Sequence, residues 1–562
     1  MKLIRINTLE QLHKVRGEWA QILEDNQNSN PFIEFEWISL WIECLGSQKN
    51  IEVIGIQNEL GSYIGFFPFI KKKSLFGVIY EMIGYGQSNY MDFIIRHDDR
   101  NETIRFCFEK MIEEEPNALF ILHGILESSP TYPTLISLLK RGKYGYSFHK
   151  VVAPYINLNK IQMDHYLEKR KKLHRLERRE KRLHLLGKVE HRVCTVEEMD
   201  TIFYLHDKRW QKKNDTSGFT NEAERTFYKK LMETDSGQMR PVVDALYVEG
   251  KMIAFAYGFS CRNRYVSFVL GYDDDFESFS PGRMLEKESI IRFVNTDVTI
   301  FDLSIGYEPY KFEWNTHLDH AVKLIFSSKG FRSAIRRIIR SMREKSIERL
   351  KKNRKTVLFK RDTLGYMKYM TMKLFRNPDR NARKEAFRQL FRTVKSSIWQ
   401  KDESFIMKKG VERTKKAGLG KGFSELQLND ALYNKRFNNQ DLKTVCTKLY
   451  GGYQGYYRTG ERGEGEIVWA NRKVLRLKNI PYIKELRKNA IWLEGWNEHN
   501  VQDICEFVHK EHLINSILVE VEAKDFEGIK ILKKVGFQIE KSAASRTIFG
   551  KKNVQLFENY RL

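Results

Sequence analysis

The sequence contains no long hydrophobic run and no cysteine pattern typical of a metal site or a disulfide framework. Its six cysteines are scattered, without a CxxC motif or paired Cys/His spacing. The longest apolar run, 63–70, is far shorter than the ~20 residues that a membrane-spanning helix needs. Charged and polar residues interrupt the first fifteen positions, which argues against a signal peptide. We therefore expect a cytoplasmic protein without a structural metal.

Positive charge is unevenly distributed along the chain. The 562 residues exceed what one hydrophobic core usually supports, so several domains are expected. The net charge of +25 comes almost entirely from 329–421, which holds 30 Lys and Arg against 8 Asp and Glu. Basicity is therefore a property of one segment and not of the whole protein.

Three parts of the chain alternate short apolar strands with helical stretches, as expected of mixed α/β domains. Two apolar stretches, 51–57 and 62–70, predict a hairpin, and Glu249–Gly250 and Arg262–Asn263 predict turns between strands. The basic segment is poor in Gly and Pro and has helical apolar spacing, which predicts helices. The sequence thus predicts four parts: an N-terminal half (1–155), a central domain (156–328), a basic helical linker (329–421) and a C-terminal α/β domain (422–562).

A strand, an acidic loop and a helix start follow one another between Leu270 and Arg283. Ser280 is a favoured N-cap residue and the following Pro suits the first helical position. Gly282 leaves room for a ligand, and Arg283 adds a positive charge. The free N–H groups of a helix N-terminus can bind a pyrophosphate, so we expect a cofactor site formed by Gly271, Tyr272, Ser280, Gly282 and Arg283. The alternative interpretation is an ordinary helix start.

The stretch FDLSIGYEPYKFEW, 301–314, concentrates acidic, basic and aromatic residues after a short predicted strand. Ligands of open α/β sheets bind at the carboxyl ends of strands. Glu308 or Asp302 could act as general base, Tyr310 as general acid, and Lys311 as the partner of an anion or oxyanion. The alternative is a structural ion pair between Lys311 and one of the two carboxylates.

The stretch from Leu167 to Leu318 resembles the CelD/FemAB-like GNAT acetyltransferase family. The resemblance is carried by a basic helix (170–179), LHDKRW (205–210), GYDDDFESFSPGRML (271–285) and FDLSIGYEPYKFEW (301–314). PFIEFEWISLW at 31–41 and the Y-x-D-F motif at 90–93 extend it into the N-terminal half.

The resemblance implies tandem GNAT-like halves and a bacterial acyltransferase that uses acyl-CoA, such as acetyl-CoA, as co-substrate. The acceptor class that it implies is an amino-sugar or related precursor of a cell-surface polysaccharide, either a small molecule or lipid-linked. On the matching motifs, we expect the substrate-binding residues to be Tyr90, Asp92, Arg209, Trp210 and Trp314.

The C-terminal part resembles a GNAT fold more weakly. DFEGIKILKKVGFQIE, 525–540, is similar to the end of that fold, but Asp525 replaces the usual Asn and Lys533 the usual Tyr. The loop after IWLEGW contains no glycine that would let backbone N–H groups surround a pyrophosphate. We interpret this third module as degenerate or regulatory. The glycine-rich stretch 451–466 lacks P-loop order and predicts a flexible hairpin loop.

Three functions and three roles for the basic linker remain open from the sequence. The protein is an acyl-CoA-dependent transferase, a Fem-type transferase that uses aminoacyl-tRNA, or a non-catalytic scaffold of surface-polymer assembly. The linker binds anionic lipid, binds tRNA, or only bridges domains. Aromatic and Met residues recur among its cations at 359–375, which favours a location peripheral to the inner face of the membrane.

Overall fold

The computed structural model describes the chain except for a set of short segments and one long one. The residues outside the description are 75–76, 142–143, 171–173, 211–218, 220, 235–237, 353–398, 412–421, 435–436, 438–440, 459–465, 513, 549–550 and 559–562. Among the described residues, no helix is both long and apolar enough to cross a membrane.

The first part of the chain forms an N-terminal module of strands and five helices. Its elements are β1 (Lys2–Ile6), α1 (Leu9–Lys14), α2 (Arg16–Asp25), α3 (Phe35–Leu45), β2 (Ile51–Gln57), β3 (Tyr63–Ser74), β4 (Gly77–Met82), β5 (Ile94–Ile95), α4 (Arg100–Glu114), β6 (Leu119–Leu126), α5 (Thr131–Lys140) and β7 (Tyr144–Asn157). The predicted hairpin is confirmed as the antiparallel pair β2 and β3.

The second part forms the central module. Its elements are α6 (Met163–Glu168), α7 (His174–His184), β8 (Val189–Val193), α8 (Met199–Trp210), α9 (Glu222–Glu233), β9 (Met239–Val248), β10 (Lys251–Cys261), β11 (Arg264–Tyr272), α10 (Pro281–Val294), β12 (Ile300–Asp302), α11 (Lys311–Trp314) and β13 (His317–Ser328). A 3-10 turn, Asp274–Phe279, lies between β11 and α10. The predicted turns at 249–250 and 262–263 join β9, β10 and β11.

The two modules share one 13-stranded sheet because each contributes a strand to the other. The order is β1-β2-β3-β4-β6-β13-β7-β12-β11-β10-β9-β8, with β5 beside β3. Strand β13 of the central part lies between β6 and β7, and β7 of the N-terminal part lies between β12 and β13. This reciprocal exchange joins the two cores through continuous backbone hydrogen bonding.

The remaining described elements are a long helix and a C-terminal module with an eight-stranded sheet. They are α12 (Phe331–Lys352), β14 (Trp399–Gly410), β15 (Phe423–Glu425), α13 (Leu428–Tyr433), α14 (Leu442–Tyr450), β16 (Gln454–Arg458), β17 (Ile467–Asn471), β18 (Val474–Arg476), β19 (Ile483–Glu485), β20 (Ala490–Glu494), α15 (Val501–His512), β21 (Ser516–Glu522), α16 (Phe526–Lys534), β22 (Gln538–Ile548) and β23 (Lys551–Glu558).

The prediction of helix throughout the basic linker is right at its start and wrong near its end. Helix α12 begins where the apolar periodicity begins, whereas Trp399–Gly410 is strand β14. This strand pairs with β21 on one side and β22 on the other, and its Ile406 and Met407 are buried. Partners more than a hundred residues away decide its conformation, so local spacing carries no signal of it.

The three modules repeat one arrangement of strands, which confirms the predicted α/β class with tandem GNAT-like modules. In each, a helix joins two parallel strands: β4–α4–β6, β11–α10–β12 and β20–α15–β21. The second strand of each pair has an antiparallel neighbour from elsewhere in the chain, namely β13, β7 and β14. The domain boundaries given above remain predictions.

The C-terminal module packs on the central module close to the start of α10. Leu428 and Cys446 are buried in the central core, and the Tyr450 ring contacts the Phe279 ring edge-on at 5.2 Å. The Arg182 guanidinium lies 4.9 Å from the centre of the Tyr450 ring. This contact supports the turn that positions the N-terminus of α10.

Candidate active site

The parallel strands of the central module separate after three paired positions. Strand β11 pairs with β12 only over 264–266, although β11 continues to Tyr272. Beyond Asp302 the chain follows β7, because Leu303 N–H donates to Pro154 and Gly306 N–H donates to Val152. A gap therefore opens between the end of β11 and 303–306, and the N-terminus of α10 follows β11 after the 3-10 turn Asp274–Phe279.

The N-terminus of α10 has two arginines beside it. Pro281 occupies the first helical position, as predicted, and Ser280 is the N-cap residue but does not cap with its side chain. The Ser280 hydroxyl instead accepts a hydrogen bond from Arg179 on α7, and Arg283 pairs with Glu313. Positive side chains and helix N–H groups together give this end of the helix the charge that an anion requires.

Backbone strain marks both sides of the gap. Ser280 has φ of 61° and Ser304 has φ of 66°, both in the left-handed region that residues with a Cβ rarely adopt. Such a conformation costs about 1–3 kcal/mol and is typical of functional sites. No sequence pattern signals it, because neither position is glycine.

The other expected cofactor residues line the end of β11. A Cβ on Gly282 would lie 3.1 Å from Tyr272 Cδ1, and the Arg209 guanidinium lies 3.7 Å from the centre of the Tyr272 ring. A side chain on Gly271 would collide with the Phe255 ring, so packing against the neighbouring strand explains that glycine. Tyr272 and Gly282, which we expect to bind the cofactor, therefore lie together, and Arg209, which we expect to bind substrate, lies against the same tyrosine.

Lys311 is a buried ammonium group at the other side of the gap. Its Nζ donates to the Ile305 carbonyl at 2.6 Å and lies 3.3 Å from Glu308 Oε2. The Glu308 side chain is 56% exposed, while that of Lys311 is buried. The structure thus contains the ion pair of the alternative interpretation, and it leaves the Glu308 carboxylate accessible to a substrate.

Glu286 is a buried carboxyl group near Lys311 that the sequence analysis missed. Burial raises its pKa to about 8, although Lys311, Trp314 and Arg283 favour its charged form. Its Oε2 has no hydrogen-bond partner among the described residues. Helical spacing in the sequence could have indicated its burial, because Glu286 falls in the stripe of α10 that also buries 282, 285, 289 and 293.

Tyr310 and Trp314 both interact with the Glu286 carboxyl. Burial raises the pKa of the Tyr310 hydroxyl well above its usual value, and the carboxyls of Glu286 and Glu308 raise it further. Tyr310 is therefore a proton donor and not a base near neutral pH. Trp314 is fully buried, as a residue that supports the site, and its carbonyl accepts a hydrogen bond from Tyr166.

Asp302 lies in a buried network that joins the two modules. It accepts hydrogen bonds from Tyr90 at 2.7 Å, Arg264 at 3.1 Å and the Ser304 N–H at 2.7 Å. Burial raises its pKa, and Arg264 and Tyr90 oppose that rise. With these donors, Asp302 is held as a structural carboxylate, whereas Glu308 is exposed. Asn89 likewise donates to Ser304 from the N-terminal module.

Two expected substrate-binding residues are not brought into this group. Asp92 accepts hydrogen bonds from Ser129 and from the Phe93 N–H, so its partners belong to the N-terminal module. Burial raises the pKa of its carboxyl. The side chain of Trp210 lies outside the described residues, although its backbone ends α8.

The corresponding helix start of the C-terminal module is closed by its own side chains. The Asn497 carboxamide oxygen accepts from the N–H groups of His499 and Asn500, and Asn500 Oδ1 accepts from the Asn497 N–H. The indole of Trp496 donates to the Glu520 carbonyl at 3.3 Å, across the strands β20 and β21. These contacts occupy N–H groups of the loop immediately before α15, where a pyrophosphate-binding loop would lie, and the interpretation of this module as degenerate stays a prediction.

Residues 170–312 match the family profile described as "Acetyltransferase (GNAT) domain". The central module is a GNAT-type acyltransferase domain. The predicted resemblance to GNAT acyltransferases is confirmed at the level of this domain, and acyl transfer is its chemistry. None of the curated proteins matches the chain significantly.

Several solved structures are similar to about three-fifths of the chain. A conserved protein of unknown function from Bacteroides thetaiotaomicron is 13% identical, covering 55% of this chain and 97% of its own, with a TM-score of 0.39. FemX is 11% identical over 57% and 97%, with a TM-score of 0.40. A tandem GNAT protein from the clavulanic acid biosynthesis pathway is 8% identical over 58% and 99%, with a TM-score of 0.36.

Proposed function

We propose that the GNAT domain transfers an acyl group from acyl-CoA to an amino group of a sugar precursor of a cell-surface polysaccharide. The observation that carries the proposal is that two features face each other across the gap between the end of β11 and 303–306. An arginine-flanked helix N-terminus lies on one side, and a buried Lys311 beside an accessible Glu308 lies on the other. The first suits a pyrophosphate, and the second suits the reacting groups of acyl transfer.

In this mechanism the acyl-CoA pyrophosphate binds at Ser280 to Arg283. Glu308 takes a proton from the acceptor ammonium group, and the freed amine attacks the thioester carbonyl carbon. The Lys311 ammonium stabilises the oxyanion that forms as the new C–N bond develops. The C–S bond then breaks, Tyr310 donates its proton to the leaving thiolate, and the second proton of the former amine nitrogen passes to Tyr310 and restores its hydroxyl. We propose that this reaction takes place in the cytoplasm.

The first test measures the donor. We expect calorimetric titration to show binding of acetyl-CoA and free CoA by the full chain and no binding by Gly282→Trp. Gly17→Trp is the matched control, because a Cβ at Gly17 meets no atom within 4 Å. A second variant, Arg179→Gln, removes the cation at Ser280 without adding bulk, and its affinity should fall about tenfold.

Two outcomes would contradict the donor assignment, and a third would contradict the acceptor. Undiminished binding by both Gly282→Trp and Arg179→Gln would place the donor elsewhere. A lack of binding by the intact chain, together with nuclease-sensitive transfer, would favour aminoacyl-tRNA as the donor. Binding without thiol release against a panel of amino sugars would remove the amino-sugar acceptor from the proposal.

A further inference from the structure

Helix α12 packs on the sheet through its polar face. Ser333 and Ser341 are buried, and the Ser341 hydroxyl lies 3.2 Å from His149 Nε2 on β7. Arg340 reaches Glu81 at 3.4 Å in the same interface. An amphipathic helix on a soluble domain usually does the reverse and buries its apolar stripe. The contacts of α12 are therefore inverted.

The apolar face of α12 points away from the sheet. Positions i, i+4, i+7, i+8 and i+11 form one stripe three turns long, and its side chains are exposed: Phe331, Ile335, Ile338, Ile339 and Met342. Phe331 is 80% exposed and Ile339 is 64% exposed. A contiguous stripe of this size is typical of an interaction surface, unlike single exposed apolar residues.

Cations border the stripe on both sides. Arg332 and Arg343 follow one edge and Lys345 the other, and all three are exposed. The whole helix carries nine Lys and Arg against two Asp and Glu. An apolar stripe with basic margins is the pattern of helices that lie in the headgroup region of an anionic bilayer.

Charge argues against two protein occupants of this face: a second copy of the chain, and the segment 353–398 of the same chain. A second copy would bring its own cations against the cations that border the stripe, and this repulsion costs energy. The segment 353–398, outside the described residues, carries thirteen Lys and Arg against three Asp and Glu and so has the same sign. An anionic bilayer supplies both the opposite charge and the apolar phase.

We infer that the α12 stripe (Phe331, Ile335, Ile338, Ile339 and Met342) binds an anionic lipid surface. The stripe inserts about 5–10 Å, to the boundary between headgroups and acyl chains. The flanking Arg and Lys remain at the headgroups, and each strengthens binding by about fivefold. The inference does not depend on the proposed function, since it concerns where the chain is held and not what it transfers.

Vesicle flotation of the full chain tests the inference. We expect binding to vesicles of phosphatidylglycerol and phosphatidylcholine, weak binding to phosphatidylcholine alone, and release by salt. Replacing two stripe residues, Phe331→Glu with Ile339→Glu, should lower binding about tenfold or more, because each loses apolar insertion and adds a repelled charge.

A matched control changes two exposed apolar residues elsewhere. Leu60 is 90% exposed and Phe526 is 78% exposed, so Leu60→Glu with Phe526→Glu makes the same chemical change off the helix. We expect this control to bind vesicles as the unchanged chain does. Equal melting temperatures would show that both variants fold, and acetyl-CoA titration of the stripe variant separates this result from the donor assignment.

Several results would overturn the inference. These are failure of the unchanged chain to bind anionic vesicles, equal binding to phosphatidylcholine alone, and equal binding by the stripe and control variants. Concentration-dependent dimerisation in sedimentation velocity, lost only in the stripe variant, would assign the stripe to a second copy instead.

Discussion

The buried carboxyl of Glu286 should make the stability of the central module depend on pH. The folded carboxyl keeps its proton up to about pH 8, whereas an ordinary Glu releases it near 4.5. Between these values unfolding releases a proton, so the free energy of unfolding falls as pH rises. At about 1.4 kcal/mol per pH unit, the whole interval corresponds to about 5 kcal/mol. The variant Glu286→Gln cannot ionise and should lack this contribution.

Amide hydrogen exchange of α10, followed by mass spectrometry, measures the pH dependence of stability at this helix. A local measurement is needed because the chain has several modules. After correction for intrinsic exchange rates, the opening free energy of the unchanged chain should fall relative to Glu286→Gln by about 1.4 kcal/mol per unit between about pH 5 and pH 8. Glu277→Gln is the matched control, since Glu277 is 58% exposed and pairs with Lys443 at the surface.

Parallel pH profiles for the unchanged chain and Glu286→Gln would refute the reasoning. They would mean that Glu286 ionises in the folded protein as it does in water, and that Lys311 and Arg283 compensate fully for its burial. A profile altered equally by Glu277→Gln would assign the pH dependence to surface charge.

Two further substitutions test the catalytic and structural roles separately. Lys311→Met should lower kcat about 10²–10³-fold with little change in the KM for acyl-CoA, because it removes the oxyanion partner and not the donor site. Steady-state thiol release measures this, and an equal loss in Lys287→Met, at a partly buried lysine paired with Glu180, would contradict it. Tyr90→Phe should lower the free energy of unfolding by about 1–2 kcal/mol in thermal or urea melts, because Asp302 loses a buried hydrogen-bond donor from the other module. The control variant Tyr85→Phe, at an exposed tyrosine, should melt as the unchanged chain does.

Features with a local cause could be predicted from the sequence. The helix start at Pro281 is decided by that residue's fixed φ, and the turn at Glu249–Gly250 by two residues that adopt positive φ of 48° and 75°. The α/β class follows in the same way from alternation of short apolar strands and amphipathic helices. None of these depends on a distant partner.

Features with a distant cause could not be predicted. The exchange of β7 and β13 brings His317–Ser328 against strands that end far earlier in the chain, at Leu126 and Asn157, and a single strand has no sequence feature that identifies its neighbour. The network around Asp302 exists only because this exchange brings Tyr90 to it. The sequence therefore indicated Asp302 as a candidate general base, whereas the fold surrounds its carboxylate with hydrogen-bond donors.

Helical periodicity reveals a face but not what covers it. The stripe of α10 that buries Glu286 and the stripe of α12 that exposes Phe331 have similar spacing. In α10 the strands β9, β10 and β11 cover the stripe, and in α12 the sheet accepts the opposite, polar face. The position of the neighbouring sheet, and not the pattern, decides which face is buried.

Comparison of the three helix starts explains why one module alone is assigned the donor. All three helices follow the first strand of a parallel pair, so the backbone offers each the same dipole. Asp98 and Asp99 precede α4 and oppose an anion, and Asn497 and Asn500 satisfy the N–H groups before α15. At α10 the preceding turn is also acidic, but its Asp273 and Asp275 are paired with Lys208 and its Glu277 with Lys443, and Arg179 and Arg283 flank the helix start itself. The repeated topology supplies the potential for anion binding, and a few side chains at each helix start decide whether it is used.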